Sequence, residues 1–99
     1  MATNFRRRSC EIDIIALRHG VLSFVEVKYR RCFTSERATI DNLVCARKRR
    51  AMRKGADFFC VEFPVGYEVI RFDLAVVCLW VGDDKKKARG RLFYYPGVF

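Results

Sequence analysis

Glu26 and Lys28 sit two residues apart in an otherwise apolar run, Phe24-Val25-Glu26-Val27-Lys28. Side chains two apart on a strand leave from the same face, so acid and amine lie side by side. Taking both out of water is costly unless each finds a partner. The preceding run, residues 10–17, reads as a second strand and carries Asp13 among isoleucines. Arg18-His19-Gly20 supplies a turn between the two, with His19 read as a turn residue rather than a ligand. If His19-Gly20 is a two-residue loop, Arg18 faces Val21, and counting outward sets Asp13 opposite Glu26 and Glu11 opposite Lys28. Cross-strand neighbours stand about 5 Å apart at Cβ. Two facing carboxylates repel unless a cation lies between them. Their hard oxygens suit Mg²⁺ or Mn²⁺. A metal there would acidify a bound water and stabilise charge on a phosphate oxygen. Lys28 would orient or deprotonate that water, or neutralise the transition state. The structural alternative is a buried ion cluster, Glu11 with Lys28 and one acid protonated, and spacing alone does not separate the two.

The surroundings of this group fit an anionic substrate. The chain has 99 residues and a formal charge of +9. That excess points first to nucleic acid, DNA or RNA, and second to an anionic membrane surface. A 52% hydrophobic, 14% aromatic composition supplies a core for one domain spanning residues 1–99. The five cysteines are odd in number, no CxxC occurs, and His19 is the only histidine. This speaks against a zinc module or disulfide framework and for a reducing cytoplasm. The longest apolar run, residues 74–81, is far short of the roughly 20 residues of a membrane helix. Arg6-Arg7-Arg8 is not followed by a signal-type apolar segment.

The elements that must position the group follow from periodicity. Residues 4–8 form an edge strand or a basic arm. In residues 10–17, Ile12, Ile14 and Ala16 are expected on one face and Glu11, Asp13 and Ile15 on the other. Residues 21–29 carry Glu26 and Lys28, and Arg30-Arg31 follow. A polar link through Thr34, Ser35 and Glu36 leads to Thr39 or Asp41 as a helix cap. A helix is predicted over residues 40–60, with an apolar stripe of Val44, Ala51, Gly55 and Phe58 beside Leu43 and Phe59. Its other face holds Arg47, Lys48, Arg49, Arg50, Arg53 and Lys54, which repel one another and suit phosphate contact. Pro64-Val65-Gly66 ends this unit. A strand over residues 67–80 includes Arg71 and Asp73, read first as a structural ion pair. A polar loop over residues 82–90 precedes a last strand at 91–95. The order strand, strand, helix, strand, strand, with an optional strand ahead of it, is mixed α/β (α+β): a helix covering a small mixed sheet.

These runs resemble the bacterial UPF0102 (YraN-like) family, which belongs to the PD-(D/E)xK nuclease superfamily and is similar to archaeal Holliday-junction resolvases. Asn4-Phe5-Arg6-Arg7-Arg8 resembles the family's N-x-R segment. Glu11-Ile12-Asp13-Ile14-Ile15-Ala16 resembles its G-E-I-D-L-I-A strand, with Cys10 in place of the glycine. Phe24-Val25-Glu26-Val27-Lys28-Tyr29-Arg30 resembles F-V-E-V-K-x-R. Residues 47–59 look like its lysine-bearing helix, Arg71-Phe72-Asp73 its R-F-D strand, and residues 94–99 its closing H-x-x-N-A-F. The resemblance implies a restriction-endonuclease-like fold. It implies metal ligation by Asp13, Glu26 and the Val27 carbonyl, with Lys28 the catalytic lysine, Lys48 near the site and Glu11 an accessory acid. Arg30, Arg31, Arg47, Lys48, Arg50 and Lys54 are the expected nucleic-acid contacts. The family usually opens with a helix carrying G-x-x-G-E-x-x-A, whereas this sequence opens at the first strand. Apolar sheet surface is therefore expected to stand uncovered, inviting a homodimer or another partner. The expected function is metal-dependent cleavage of branched or structured DNA. The alternatives are a nucleic-acid-binding module without catalysis, and an assembly protein whose basic face meets an acidic one.

Overall fold

The computed structural model describes residues 1–8, 10–31, 45–81 and 88–99. Five strands and one helix follow in the order β1 (Ala2–Arg7), β2 (Cys10–Arg18), β3 (Val21–Arg31), α1 (Ala46–Glu62), β4 (Val69–Val81) and β5 (Ala88–Tyr95). The strands form one sheet in sequence order, antiparallel throughout except for the parallel pair β3–β4. A parallel pair needs a crossover, and α1 lies within it. The expected helix-covered mixed sheet, with the additional strand at its start, is the observed architecture.

Backbone chemistry sets the first hairpin. His19 and Gly20 both have positive φ, 50° and 77°, as a type I′ two-residue loop requires. Arg18 pairs with Val21, as counted from the sequence. The Gly20 carbonyl accepts hydrogen bonds from the Glu68 and Val69 amides at 2.7 and 3.1 Å. The hairpin turn thereby anchors the start of β4.

α1 packs on β1 and β2 through Met52, Gly55, Ala56 and Phe59, which join Phe5, Ile12, Ile15, Leu22 and Phe24 in one core. The buried stripe is rotated by about one residue from the predicted one: Ala51 and Phe58 are only half-buried. Gly55 explains the rotation, because a Cβ there would meet Ile12 Cδ1 at 2.8 Å. The helix approaches β2 along its glycine, and the neighbours of that glycine become the stripe. Phe59 meets the rings of Phe5 and Phe24 edge-on at 5.4 and 5.9 Å. Cys45 is extended, at φ −136° and ψ 163°, so α1 begins after it and not at residue 40, and it runs on to Glu62. The expected caps Thr39 and Asp41, the stripe residues Leu43 and Val44, the link at Thr34 to Glu36, Cys32 and most of the loop over 82–90 lie outside the described residues.

One expectation about β2 is corrected. Ile12 and Ile15 are both fully buried in the same core, while Ile14 is 38% exposed. The two-residue alternation slips at Asp13-Ile14. β1 slips in step: Ala2 and Phe5 both face the core, and Asn4 between them has φ 52°. Their mutual register therefore survives, Thr3 opposite Ile14 and Phe5 opposite Ile12, with Asn4 and Asp13 skipped. β3 does not slip. Its ladder with β2 ends at Ile14 opposite Val25, and β3 continues to Arg31 paired only with β4. The expected pairs Asp13–Glu26 and Glu11–Lys28 are absent, because two strands of different phase cannot stay in one ladder.

Candidate functional site

Glu26 lies on the face of β3 that α1 covers, 5% exposed. Its Oε1 meets Lys28 Nζ at 3.1 Å and Lys48 Nζ at 2.8 Å. Lys28 reaches it from the same strand face, two residues on, and Lys48 from the first turn of α1. The lysine side chains keep about a third of their surface in solvent, 32% and 33%, while the carboxylate is buried. Glu11 turns the other way and pairs with Arg6 at 2.9 Å on the exposed edge. The expected Glu11–Lys28 ion pair is thus replaced by one to Arg6, because β2 has parted from β3.

Asp13 stands where the ladder splits. Its Oδ2 accepts a hydrogen bond from the Val27 amide at 2.8 Å, so a side chain takes the place of the lost backbone partner. Burial pushes the Asp13 carboxyl above its ordinary value. The Val27 hydrogen bond opposes this, the charges of Glu26 and Glu11 add to it, and Lys48 pulls back. Asp13, Glu26, Lys28 and Lys48 therefore act on one another as a single charge cluster built from β2, β3 and α1.

The donor chemistry suits a hard divalent ion. Two carboxylates and the Val27 carbonyl are oxygen donors, and Mg²⁺ usually keeps several waters rather than a full protein cage. Among the described residues, no group of three or more His, Cys, Asp or Glu side chains gathers for a metal. A divalent ion at this place would be held by two acids and solvent.

Of the expected nucleic-acid contacts, Arg30 and Arg31 are exposed at the end of β3, and Arg47, Arg50 and Lys54 form an exposed row on α1. Lys48 instead points into the acid cluster. The first turn of α1 has no acidic residue. Arg47, Lys48 and Arg49 there oppose the positive end of the helix dipole, and the Arg49 Nε is buried without a hydrogen-bond partner among the described residues. Arg7 is taken up structurally: it forks onto Glu62 with two 2.7 Å hydrogen bonds and lies 4.5 Å from the Phe5 ring centre, clamping β1 to the end of α1.

Sequence reasoning missed a groove of about 270 Å³ on the opposite face of the sheet, lined by Thr3, Asn4, Asp13, Ile14, Val27 and Tyr29. Asn4, a residue type that tolerates positive φ, was the one signal available.

Arg71 and Asp73 form the ion pair read from the sequence. Asp73 is fully buried and receives Arg71 Nε and Nη2 at 2.9 and 3.1 Å, the Gly97 amide at 2.9 Å and the Tyr94 hydroxyl. Burial pushes its carboxyl up, but these donors outweigh that and hold it below its ordinary value. Tyr94 is pushed up to about 12 by burial and then by its bond to Asp73.

The fold and cluster define a small α+β domain with an acid–lysine site beside its helix. The family model described as "Uncharacterised protein family UPF0102" matches residues 1–77, and the chain belongs to that family. It is 34% identical over 99 residues to a UPF0102 protein of Gloeobacter violaceus, covering all of this chain and 75% of the relative. It is 38% identical over 74 residues to one of Desulforapulum autotrophicum, covering 75% of this chain and 60% of the relative. A third, of Alkaliphilus metalliredigens, is 33% identical over 84 residues, 85% of this chain and 70% of the relative. No helix among the described residues is long and apolar enough to cross a membrane.

Proposed function

We propose that this domain binds DNA and cleaves its phosphodiesters with a divalent ion, Mg²⁺ or Mn²⁺, held by Asp13, Glu26 and the Val27 carbonyl. The observation that carries the reading is the buried Glu26, clasped by lysines from two elements and set beside a second acid whose ionisation burial opposes. Such a cluster costs stability, and costs of this kind concentrate at functional sites. The bound ion would supply an acidified water and charge stabilisation on the phosphate. Lys28 stands at the solvent rim of the cluster, where its ammonium can donate to a phosphoryl oxygen as charge develops. Lys48 holds Glu26 in orientation from α1. Arg47, Arg50 and Lys54, with Arg30 and Arg31, supply backbone contacts whose strength falls with salt. Structured DNA is the expected substrate, and the free cysteines Cys10, Cys45, Cys60 and Cys78 suit a reducing cytoplasm. The test is incubation with end-labelled junction, flap and duplex DNA in Mg²⁺ or Mn²⁺. Cleavage lost in Glu26→Ala and Lys28→Ala is expected; no cleavage, or cleavage that persists in both variants, overturns the reading.

A second reading, DNA binding without catalysis, is favoured by one feature: two ammonium groups already occupy the cation positions on Glu26 Oε1. Calorimetric Mn²⁺ titration of wild type and Asp13→Ala separates the two. Heat lost in the variant supports the nuclease, and absence of heat in wild type supports the binding module.

A further inference from the structure

The groove beside Asp13 exists because β2 and β3 part company after Ile14 and Val25. It is lined by Thr3, Asn4, Asp13, Ile14, Val27 and Tyr29. At about 270 Å³ it is smaller than a drug-sized pocket and suits one planar ring. Tyr29 is 66% exposed, too open to serve the core. Arg30 and Arg31 follow it, both exposed, with Arg30 Nη1 held on the Tyr29 carbonyl at 3.1 Å. Asn4 offers an amide donor and acceptor at the groove wall, and its positive φ keeps it out of the ladder. An exposed ring, an amide and adjacent guanidinium groups are the parts used to stack a base, read its edge and hold its phosphate. The groove also shares Asp13 and Val27 with the acid–lysine cluster.

We infer that this groove receives a single unpaired DNA nucleotide, its base stacked on Tyr29 and edge-bonded to Asn4, with its phosphates toward Arg30 and Arg31. This rests on the DNA reading above and deepens it: the substrate is duplex DNA interrupted by an unpaired base, not a continuous helix.

The test uses the full chain in EDTA with two probes, a duplex containing one unpaired 2-aminopurine and the same duplex fully paired. Wild type is expected to bind the first more tightly and to quench its fluorescence. Tyr29→Ala should weaken binding of the unpaired probe by about 5- to 150-fold, the range for one stacked base, and abolish the quenching. Tyr29→Phe should retain both. Asn4→Gly, which keeps the backbone angle unstrained, should weaken the unpaired probe by less than Tyr29→Ala does. Equal binding of both probes by wild type, or a preference that survives Tyr29→Ala, overturns this inference and leaves the DNA reading standing. Failure to bind either probe at low salt overturns both.

Discussion

Asp73 and Glu26 are buried carboxylates on adjacent parallel strands, and they are satisfied by different kinds of partner. Asp73 takes four donors: two from one guanidinium, a backbone amide and a hydroxyl. Its partners come from β4, β5 and the turn after β5, and the Arg71 side chain is itself 39% exposed. Glu26 has two lysine heads on one oxygen, both at the solvent rim. Beside it, Asp13 has a single amide and neighbours of its own charge. The first arrangement favours ionisation and fixes geometry. In the second, burial holds the Asp13 carboxyl above its ordinary value, and the cations on Glu26 are single ammonium groups rather than a planar fork. Burial alone does not distinguish the two acids; the number and kind of their donors do.

The largest expected effect tests the structural member. Asp73→Ala strands the Arg71 and Tyr94 donors and should cost about 3–5 kcal/mol in urea unfolding; a loss below about 1 kcal/mol would make the two acids equivalent and end the contrast. Tyr94→Phe removes one charge-assisted donor and should cost about 1.5–3 kcal/mol at neutral pH. Its pH profile carries a sign. The tyrosine is raised from 10 to about 12 in the fold, so its contribution is complete below pH 10 and fades as pH climbs toward 12. Wild type should lose more stability than Tyr94→Phe across that window. At the acid end, Asp73 is held below 3.8. Its stabilisation is present above that value and lost as pH falls through the lowered one, a decline that Asp73→Asn should flatten.

Changes in the other cluster should be smaller in stability and larger in function. Glu26→Gln should cost about 1–3 kcal/mol, because both lysines lose their buried carboxylate partner, while abolishing Mn²⁺ heat in calorimetry. A cost as large as that of Asp73→Ala would mark Glu26 as structural. Asp13→Asn should show the smallest effect, opposite in sign. A carboxyl raised in the fold destabilises above its ordinary value of 3.8, and the amide can still accept from Val27. The variant should melt slightly higher than wild type at neutral pH, and the gain should vanish as pH drops below that value. A lower melting temperature at pH 7 would show that Asp13 contributes net stability.

Local chemistry determined much of this from the sequence. The His19-Gly20 loop set the hairpin and its register, because only certain residues accept two positive φ angles in succession. The order of elements along the chain, the helix and the Arg71–Asp73 pair followed from side-chain spacing. Glu26 and Lys28 were legible as same-face neighbours because strand period is invariant along β3. The meeting of Asp13 with that pair was anticipated by the wrong route. It was counted as a cross-strand pair, yet β2 changes phase at Asp13-Ile14 to bury both Ile12, against Gly55, and Ile15, and the ladder ends there. That choice belongs to packing between a helix and a strand distant in sequence, which no local pattern carries. The same slip put Asp13 onto the Val27 amide, turned Glu11 toward Arg6 and opened the groove at Tyr29. The sequence by itself determined which groups could do chemistry and the strand carrying two of them. The tertiary structure decided how Asp13 meets the acid–lysine pair and where the sheet opens, because both depend on how closely one helix can approach one strand.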